Sequence, residues 1–418
     1  MPDTADDMVA ATSATSAASA TSAASATSVP DDPYDDANLT DPYPLFARMR
    51  DAGPAVWLEK YGVHAFTRFE QCRQILADHE TFISGAGVGP RNYHQQPPWR
   101  PAGILDSDPP LHTPLRTAMA GVISPRNVRV LRAAFQEYAV HLVDRLLEQR
   151  EFDAVTELAE LFPIEVFGNA VGIPRDGRAE NLLPHGAMNF SAFGPEDARY
   201  DAYFAAGEGT VEWVMSNCAR ENLTSDGLGA KIWEYADQGV VTPDEATRLV
   251  RALLSAGLDT TVLAIGNTMK CLVTNPAEWA ALHESPSSAR FAIDEALRFE
   301  SPFQSFFRTT ACETTIDGVR LAEDTKIALF MGAANRDRRR FGDDADAYRI
   351  ERDASGHLAF GIGIHQCVGQ PISRLEMDVL FTELARRVRT VELTAEPVPF
   401  LHNTLRGWKH LPVRITPA

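Results

Sequence analysis

Phe360-Gly361-Ile362-Gly363-Ile364-His365-Gln366-Cys367-Val368-Gly369 places three glycines around a single cysteine, and a helical pattern follows from Ser373 to Val388. Glycine lets a loop turn sharply and lets backbone N–H groups approach a sulfur, while the N-terminus of a following helix favours negative charge. A metal-bound thiolate needs those conditions. Taken alone, the cysteine is most simply a buried apolar side chain in a glycine-rich turn; the spacing of all ten residues points beyond that.

The surrounding chain bounds the answer. Its 418 residues would by length alone suggest two or three domains, yet no composition shift or linker long enough to separate domains follows Asp31. With 44% hydrophobic and 23% charged residues, the bulk is neither disordered nor fibrous in composition. The net charge of −18 argues against nucleic acid as a partner. Five widely spaced cysteines, without Cys-x-x-Cys, suggest neither a disulfide framework nor structural zinc and fit a reducing cytoplasm. No stretch approaches 18 uninterrupted apolar residues, and the first eight residues carry three Asp and no Lys or Arg, unlike a signal peptide. A soluble protein without membrane partners is expected.

Residues 9–29 form a Ser/Thr/Ala repeat without large side chains to offset the entropy of ordering the backbone. Residues 1–30 therefore read as a disordered tail, with a transient helix as the rival reading, and 31–418 as one domain. Helical patterns dominate that domain, with strand-like pieces at residues 63–69, 314–321 and 326–330, so the fold class is mainly α with small β-sheets (α+β). Asp317-Gly318 marks a hairpin turn. Thr242-Pro243-Asp244-Glu245 combines an N-cap Thr, Pro at the first helical position and Glu three residues after the cap. Nothing stops this helix before Asn275-Pro276; about thirty residues make a rod of roughly 45 Å, which must be buried along much of its length.

The ten-residue stretch resembles the haem-binding signature of the cytochrome P450 family, and the likeness extends in order over nearly everything after the tail. It implies the cytochrome P450 fold, haem b (iron protoporphyrin IX) as cofactor, and Cys367 as the thiolate ligand of the iron. Glu295-Ala296-Leu297-Arg298, by itself an ordinary ion pair three residues apart on a helix, is similar to the family's Glu-x-x-Arg motif, with Arg352 as the third member of a structural network. Ala256-Gly257-Leu258-Asp259-Thr260-Thr261 resembles the oxygen-activation motif: Gly257 relaxes the helix, Thr260 hydrogen-bonds dioxygen, and Asp259 feeds protons through water. His112 and Arg116, four apart, together with Arg308 and His365, would bind the two haem propionates, which need cationic partners when buried.

Several segments look closer still to bacterial enzymes that oxidise para-substituted benzoates such as 4-methoxybenzoate: Pro98-Trp99-Arg100-Pro101, residues 253–259, Phe299-Glu300-Ser301-Pro302 and residues 403–407. That likeness implies an aromatic sleeve of Phe190, Phe193 and Phe306, with Ala256 also lining the site and Arg100, Arg251 and Ser255 toward the substrate's anionic end. Where those enzymes carry carboxylate-binding serines, this chain has Gly103 and Ala252. A simple benzoate would lose two donors here while remaining desolvated. A bulkier anion could use the space, an alkylphenyl phosphate being one candidate, with Arg91-Asn92-Tyr93-His94 as further donors or simply an exposed loop.

The implied reaction is insertion of one oxygen atom from O2 into a para-alkyl or O-alkyl group of a small aromatic substrate, giving hydroxylation or O-demethylation. No Gly-x-Gly-x-x-Gly fingerprint joins a β-α-β pattern, so electrons are expected from a ferredoxin-type donor with its NAD(P)H-dependent reductase. Arg336, Arg338, Arg339 and Arg340 offer a basic docking patch against the acidic background. A peroxide-dependent haem-thiolate oxidase and a non-catalytic haem sensor are the rival readings; Asp259-Thr260 and the lack of an output domain weigh against them.

Overall fold

The computed structural model describes residues 26–98 and 100–418. A 32-residue helix, Pro243–Thr274, forms the axis of the molecule. Its start is built as the sequence predicts. Glu245 N–H donates to Thr242 Oγ1 at 3.2 Å, Thr242 N–H donates to Glu245 Oε2 at 2.7 Å, and Pro243 occupies the first turn. It ends before Asn275-Pro276. By length and composition this helix could cross a bilayer, but 67% of its most apolar window is buried inside the protein. It packs against helices Leu161–Val171, Arg178–Ser191, Leu228–Asp237, Ala289–Glu300 and Gln370–Arg387. Leu249, Val250, Leu254, Leu258 and Ile265 point into the largest of three hydrophobic clusters.

A six-stranded sheet flanks this helical body, in the order Thr27–Ser28, Ala55–Leu58, Val63–Phe66, Lys326–Phe330, Ser305–Thr310, Phe82–Ile83. Most of its pairs are antiparallel; Val63–Phe66 runs parallel to Lys326–Phe330, with Ala65 opposite Ala328. The expected hairpin forms between Thr314–Ile316 and Val319–Leu321, and its turn residues Asp317 and Gly318 both have positive φ, 47° and 84°. A three-stranded sheet (Val388–Leu393, Pro412–Pro417, Glu151–Asp153) and a second hairpin (Val398–Leu401, Arg406–His410) complete the minority β content.

The expected start of the fold at residue 31 is moved back. Thr27 and Ser28 pair in parallel with Val56 and Trp57, and Val29 is buried in the third cluster. Two ladder positions and one buried apolar side chain give this short segment contacts that small side chains alone do not supply. Residues 1–25, most of the expected tail, lie outside the described residues.

Candidate active site

The cysteine loop is held from several sides. Gly361 and Gly363 have φ of 64° and 77°, and a Cβ at Gly363 would lie 2.7 Å from the carbonyl oxygen of Leu76, so both the turn and the close approach require glycine there. Cys367 N–H donates to Phe360 O at 2.8 Å. The cysteine lines an internal cavity, and burial is the largest influence on its thiol. Burial pushes the thiol pKa up. The backbone N–H groups of Gly369 and Gln370, at the start of helix Gln370–Arg387, and the cations Arg116 and Arg374 pull against that rise. This is an environment prepared to hold a thiolate once a metal ligates it.

At the cysteine end the same cavity is lined by the arginines Arg116 and Arg308 and the histidines His112 and His365. His112 and His365 meet edge to face at 4.5 Å between ring centroids, and the Nε2 atoms of both are buried without a hydrogen-bond partner. Arg308 is buried and donates to the carbonyl of Phe307 at 2.8 Å. Desolvation lowers its pKa to about 10, and desolvation with His365 and Arg116 nearby lowers that of His112 to about 4. Asp108 lies 3.9 Å from His365 and accepts from the N–H groups of Ser84 and Gly85. Buried donors short of acceptors are what a cofactor bearing two carboxylates would satisfy. The residues present therefore fit haem, with Cys367 toward the iron and the His/Arg group toward the propionates.

Glu295, Arg298 and Arg352 come together as expected. Arg298 also donates to the carbonyls of Asn335, Ala345 and Ala347, and Arg352 Nε donates to Glu295 Oε1 at 3.1 Å. Asn335 Oδ1 in turn accepts from Leu358 N–H at 2.7 Å, tying the network to the segment that enters the cysteine loop.

On the long helix, Thr260 lines the cavity and Asp259 does not. Thr260 Oγ1 donates back to Ala256 O at 2.8 Å. Asp259 is buried with both carboxylate oxygens unpartnered, and desolvation together with the nearby Glu160 holds its pKa well above the ordinary carboxylate value. The helix is α-helical through Gly257, so the expected relaxation is not its visible role. A Cβ there would lie 2.6 Å from Phe167 Cε1, and glycine serves close packing instead.

The far end of the cavity is aromatic and cationic. Phe190, Phe193, Phe306, Arg100, Arg251, Ser255 and Ala256 all line it, as do Gly103 and Ala252. Reading the sequence missed Phe303, which stacks on Phe306 at 3.9 Å between centroids and 14° between planes, and Arg248, one helical turn before Arg251. The i, i+3 spacing was the available signal for Arg248. Arg100 is mostly buried and pairs with Asp106 at 3.4 Å. Neither Arg248 nor Arg251 has a hydrogen bond or ion pair among the described residues.

Two expectations are corrected. Arg91-Asn92-Tyr93-His94 does not line the cavity: Arg91 is engaged by Glu196, while Asn92 and His94 are engaged by Asp324. Arg336 of the run 336–340 is not part of an exposed basic patch. Arg336 is buried, stacked on the Tyr43 and Phe299 rings at 3.2 and 3.5 Å to their centroids and bonded to Phe299 O. Arg338 and Arg339 pair with Asp346 and Asp337, and Arg340 bonds Ser355 O. Arg338 and Arg339 stay more than half exposed, with partners eight and two residues away in the chain.

Comparison with known proteins agrees with this geometry. The family model described as Cytochrome P450 matches residues 288–406. The chain is 43% identical over 389 residues to cytochrome P450 CYP199A2 of Rhodopseudomonas palustris, covering 93% of this chain and 94% of that one. It is 32% identical to cytochrome P450 107B1 of Saccharopolyspora erythraea over 91% of this chain and 96% of the relative. The solved structure of cytochrome P450 CYP109Q5 from Chondromyces apiculatus superposes with a TM-score of 0.81 at 28% identity, over 94% of this chain and 99% of that one. With a thiolate loop, a propionate-binding cluster and relatives that match along almost its whole length, the chain belongs to the cytochrome P450 family, as a haem-thiolate monooxygenase whose cofactor is iron protoporphyrin IX.

Proposed function

We propose that the enzyme oxidises the para-alkyl or O-alkyl group of a small anionic aromatic. The observation that carries this reading is the juxtaposition, at the far end of the cavity, of the four-phenylalanine sleeve with the guanidinium groups of Arg100, Arg248 and Arg251, of which Arg100 pairs with Asp106. A flat ring fits between aromatic faces, and the guanidiniums of Arg248 and Arg251, without a hydrogen bond or ion pair among the described residues, favour an anionic head group. The surplus of positive charge, with Gly103 and Ala252 in place of hydroxyl donors, favours a dianion such as an aryl phosphate over a simple benzoate.

Haem bound at Cys367 supplies the oxygen-inserting chemistry. The chain's own residues orient the ring, exclude water with apolar walls, and hold hydroxyl and carboxyl protons at Thr260 and Asp259. One oxygen atom of O2 enters the C–H bond and the other leaves as water, consuming two electrons and two protons; an O-alkyl product collapses to a phenol and an aldehyde. A ferredoxin-type donor with its reductase, in the cytoplasm, supplies the electrons.

The test is the low-spin to high-spin absorbance shift of the ferric protein titrated with 4-methoxybenzoate, 4-methylphenyl phosphate and neutral 4-methylanisole. Tightest binding of the phosphate is expected. Preference for the neutral ether would overturn the anionic reading.

A further inference from the structure

Asp259 sits in a slot that another helix leaves open for it. A Cβ built on Gly186, in helix Arg178–Ser191, would lie 2.7 Å from Asp259 Oδ1 and closer still to Oδ2, which is overlap rather than contact. No other residue type at position 186 leaves the carboxyl where it is. The slot is closed to bulk solvent: Asp259 is 6% exposed, and neither oxygen has a hydrogen-bond partner among the described residues. Its neighbour Thr260 faces the cavity. To pass a proton toward that cavity, the Asp259 carboxyl must leave its place against Gly186.

The same helix also touches the substrate end. Phe190 lies four residues after Gly186, one turn along, so both share the face toward the long helix. Phe190 lines the cavity and packs edge to face on Phe193 and Phe303 at 6.1 and 5.5 Å between centroids. Pro184, two residues before Gly186, removes one N–H from the helix ladder and weakens its resistance to bending there. A ring seated in the sleeve would touch Phe190, and any displacement of this helix would carry Gly186, one turn away, with it.

We infer that Gly186 is a positioning residue for the proton-supplying Asp259, and that Phe190 makes its position respond to occupancy of the aromatic sleeve. The coupling would keep the acid away from the cavity until substrate is present, which limits loss of reducing equivalents on an empty site. The sleeve as substrate site and the proton-supplying role of Asp259 both rest on the function proposed above; the close approach of Gly186 to the Asp259 carboxyl does not.

Infrared difference spectroscopy of the ferric holoenzyme tests this. The carboxylic-acid C=O band of Asp259 is assigned by its loss in Asp259→Asn. In Gly186→Ala without ligand, the band is expected to be displaced from its wild-type position. In wild type it should shift when 4-methoxybenzoate binds, and in Phe190→Ala it should stay fixed although the absorbance shift still reports binding. Product formed per O2 consumed should fall about tenfold or more in Gly186→Ala, with Kd changed by less than about threefold. An unmoved band in a ligand-free, folded Gly186→Ala, or in wild type giving a full spin-state shift, overturns the inference. Absence of any spin-state shift counts instead against the substrate reading, and the ligand-free comparison still decides the role of Gly186.

Discussion

Arg298 meets the carboxylate of Glu295 with a two-pronged grip, Nε to Oε2 and Nη2 to Oε1, each at 2.7 Å, and neither side chain has any exposed surface. Every remaining Arg298 donor direction ends on a backbone carbonyl, so the charge is buried with its partners complete. Removing one partner leaves the other charged and dry. Glu295→Gln and Arg298→Ala should each cost about 3–5 kcal/mol, the usual range for breaking a buried pair. Arg298→Lys keeps the charge but loses the fork and should resemble the alanine variant. Thermal unfolding and haem content per chain check both, since the network reaches Leu358 through Asn335.

Asp259 makes stability depend on pH in the direction opposite to a salt-bridged acid. Its folded pKa lies above the unfolded value near 3.8, so the native state holds the proton more tightly. Stability is fully present below that unfolded value and declines as pH rises through the window up to the folded pKa, by about 1.4 kcal/mol per pH unit for one proton. Asp259→Asn removes this dependence. Its effect on Tm should therefore be more favourable at pH 7.5 than at pH 4, and equal effects at both values would show that the acid is not held protonated by burial.

At the cationic end, Arg248→Ala and Arg251→Ala should weaken binding of 4-methylphenyl phosphate about 10–100-fold each, the range of one charge-assisted hydrogen bond. Binding of 4-methylanisole should hardly change. Equal loss for both ligands would mean that the arginines shape the cavity and do not read charge.

Electron delivery should depend on a different surface from the run at 336–340. Arg129, Arg132, Arg290, Arg374 and Arg386 line one groove between helices Pro125–Gln149, Ala289–Glu300 and Gln370–Arg387, beside the start of the helix that follows Cys367. Asp378 neutralises Arg132, and Asp294 neutralises Arg374. Reversing Arg129 and Arg386 to Glu should slow reduction by an acidic ferredoxin at low ionic strength and flatten its salt dependence. Reversing Arg338 and Arg339 should leave the rate near wild type, and Arg336→Glu should instead destabilise the fold.

The features legible from the amino-acid order are those set by neighbours within a few residues. The Thr242–Glu245 capping box, the Asp317-Gly318 turn and the glycines around Cys367 are local chemistry, and each appears where its motif stands. The Glu295–Arg298 pair is local as well. Recognising haem, its propionate ligands and the sleeve required likeness to a family, because His112 and His365 become neighbours across 253 positions only when the chain folds.

Tertiary structure alone decided which charges are free and which are spent. Arg336 looks like a surface cation in sequence, yet it lies between two aromatic rings, while Arg248 looks like an ordinary helix charge and lines the cavity without a partner among the described residues. It also decided that Asp259 points to Gly186 and away from the cavity beside Thr260. Backbone preferences and caps act over a few residues, so sequence determines them. Burial and charge pairing depend on which distant surfaces meet, and packing of the whole chain settles that.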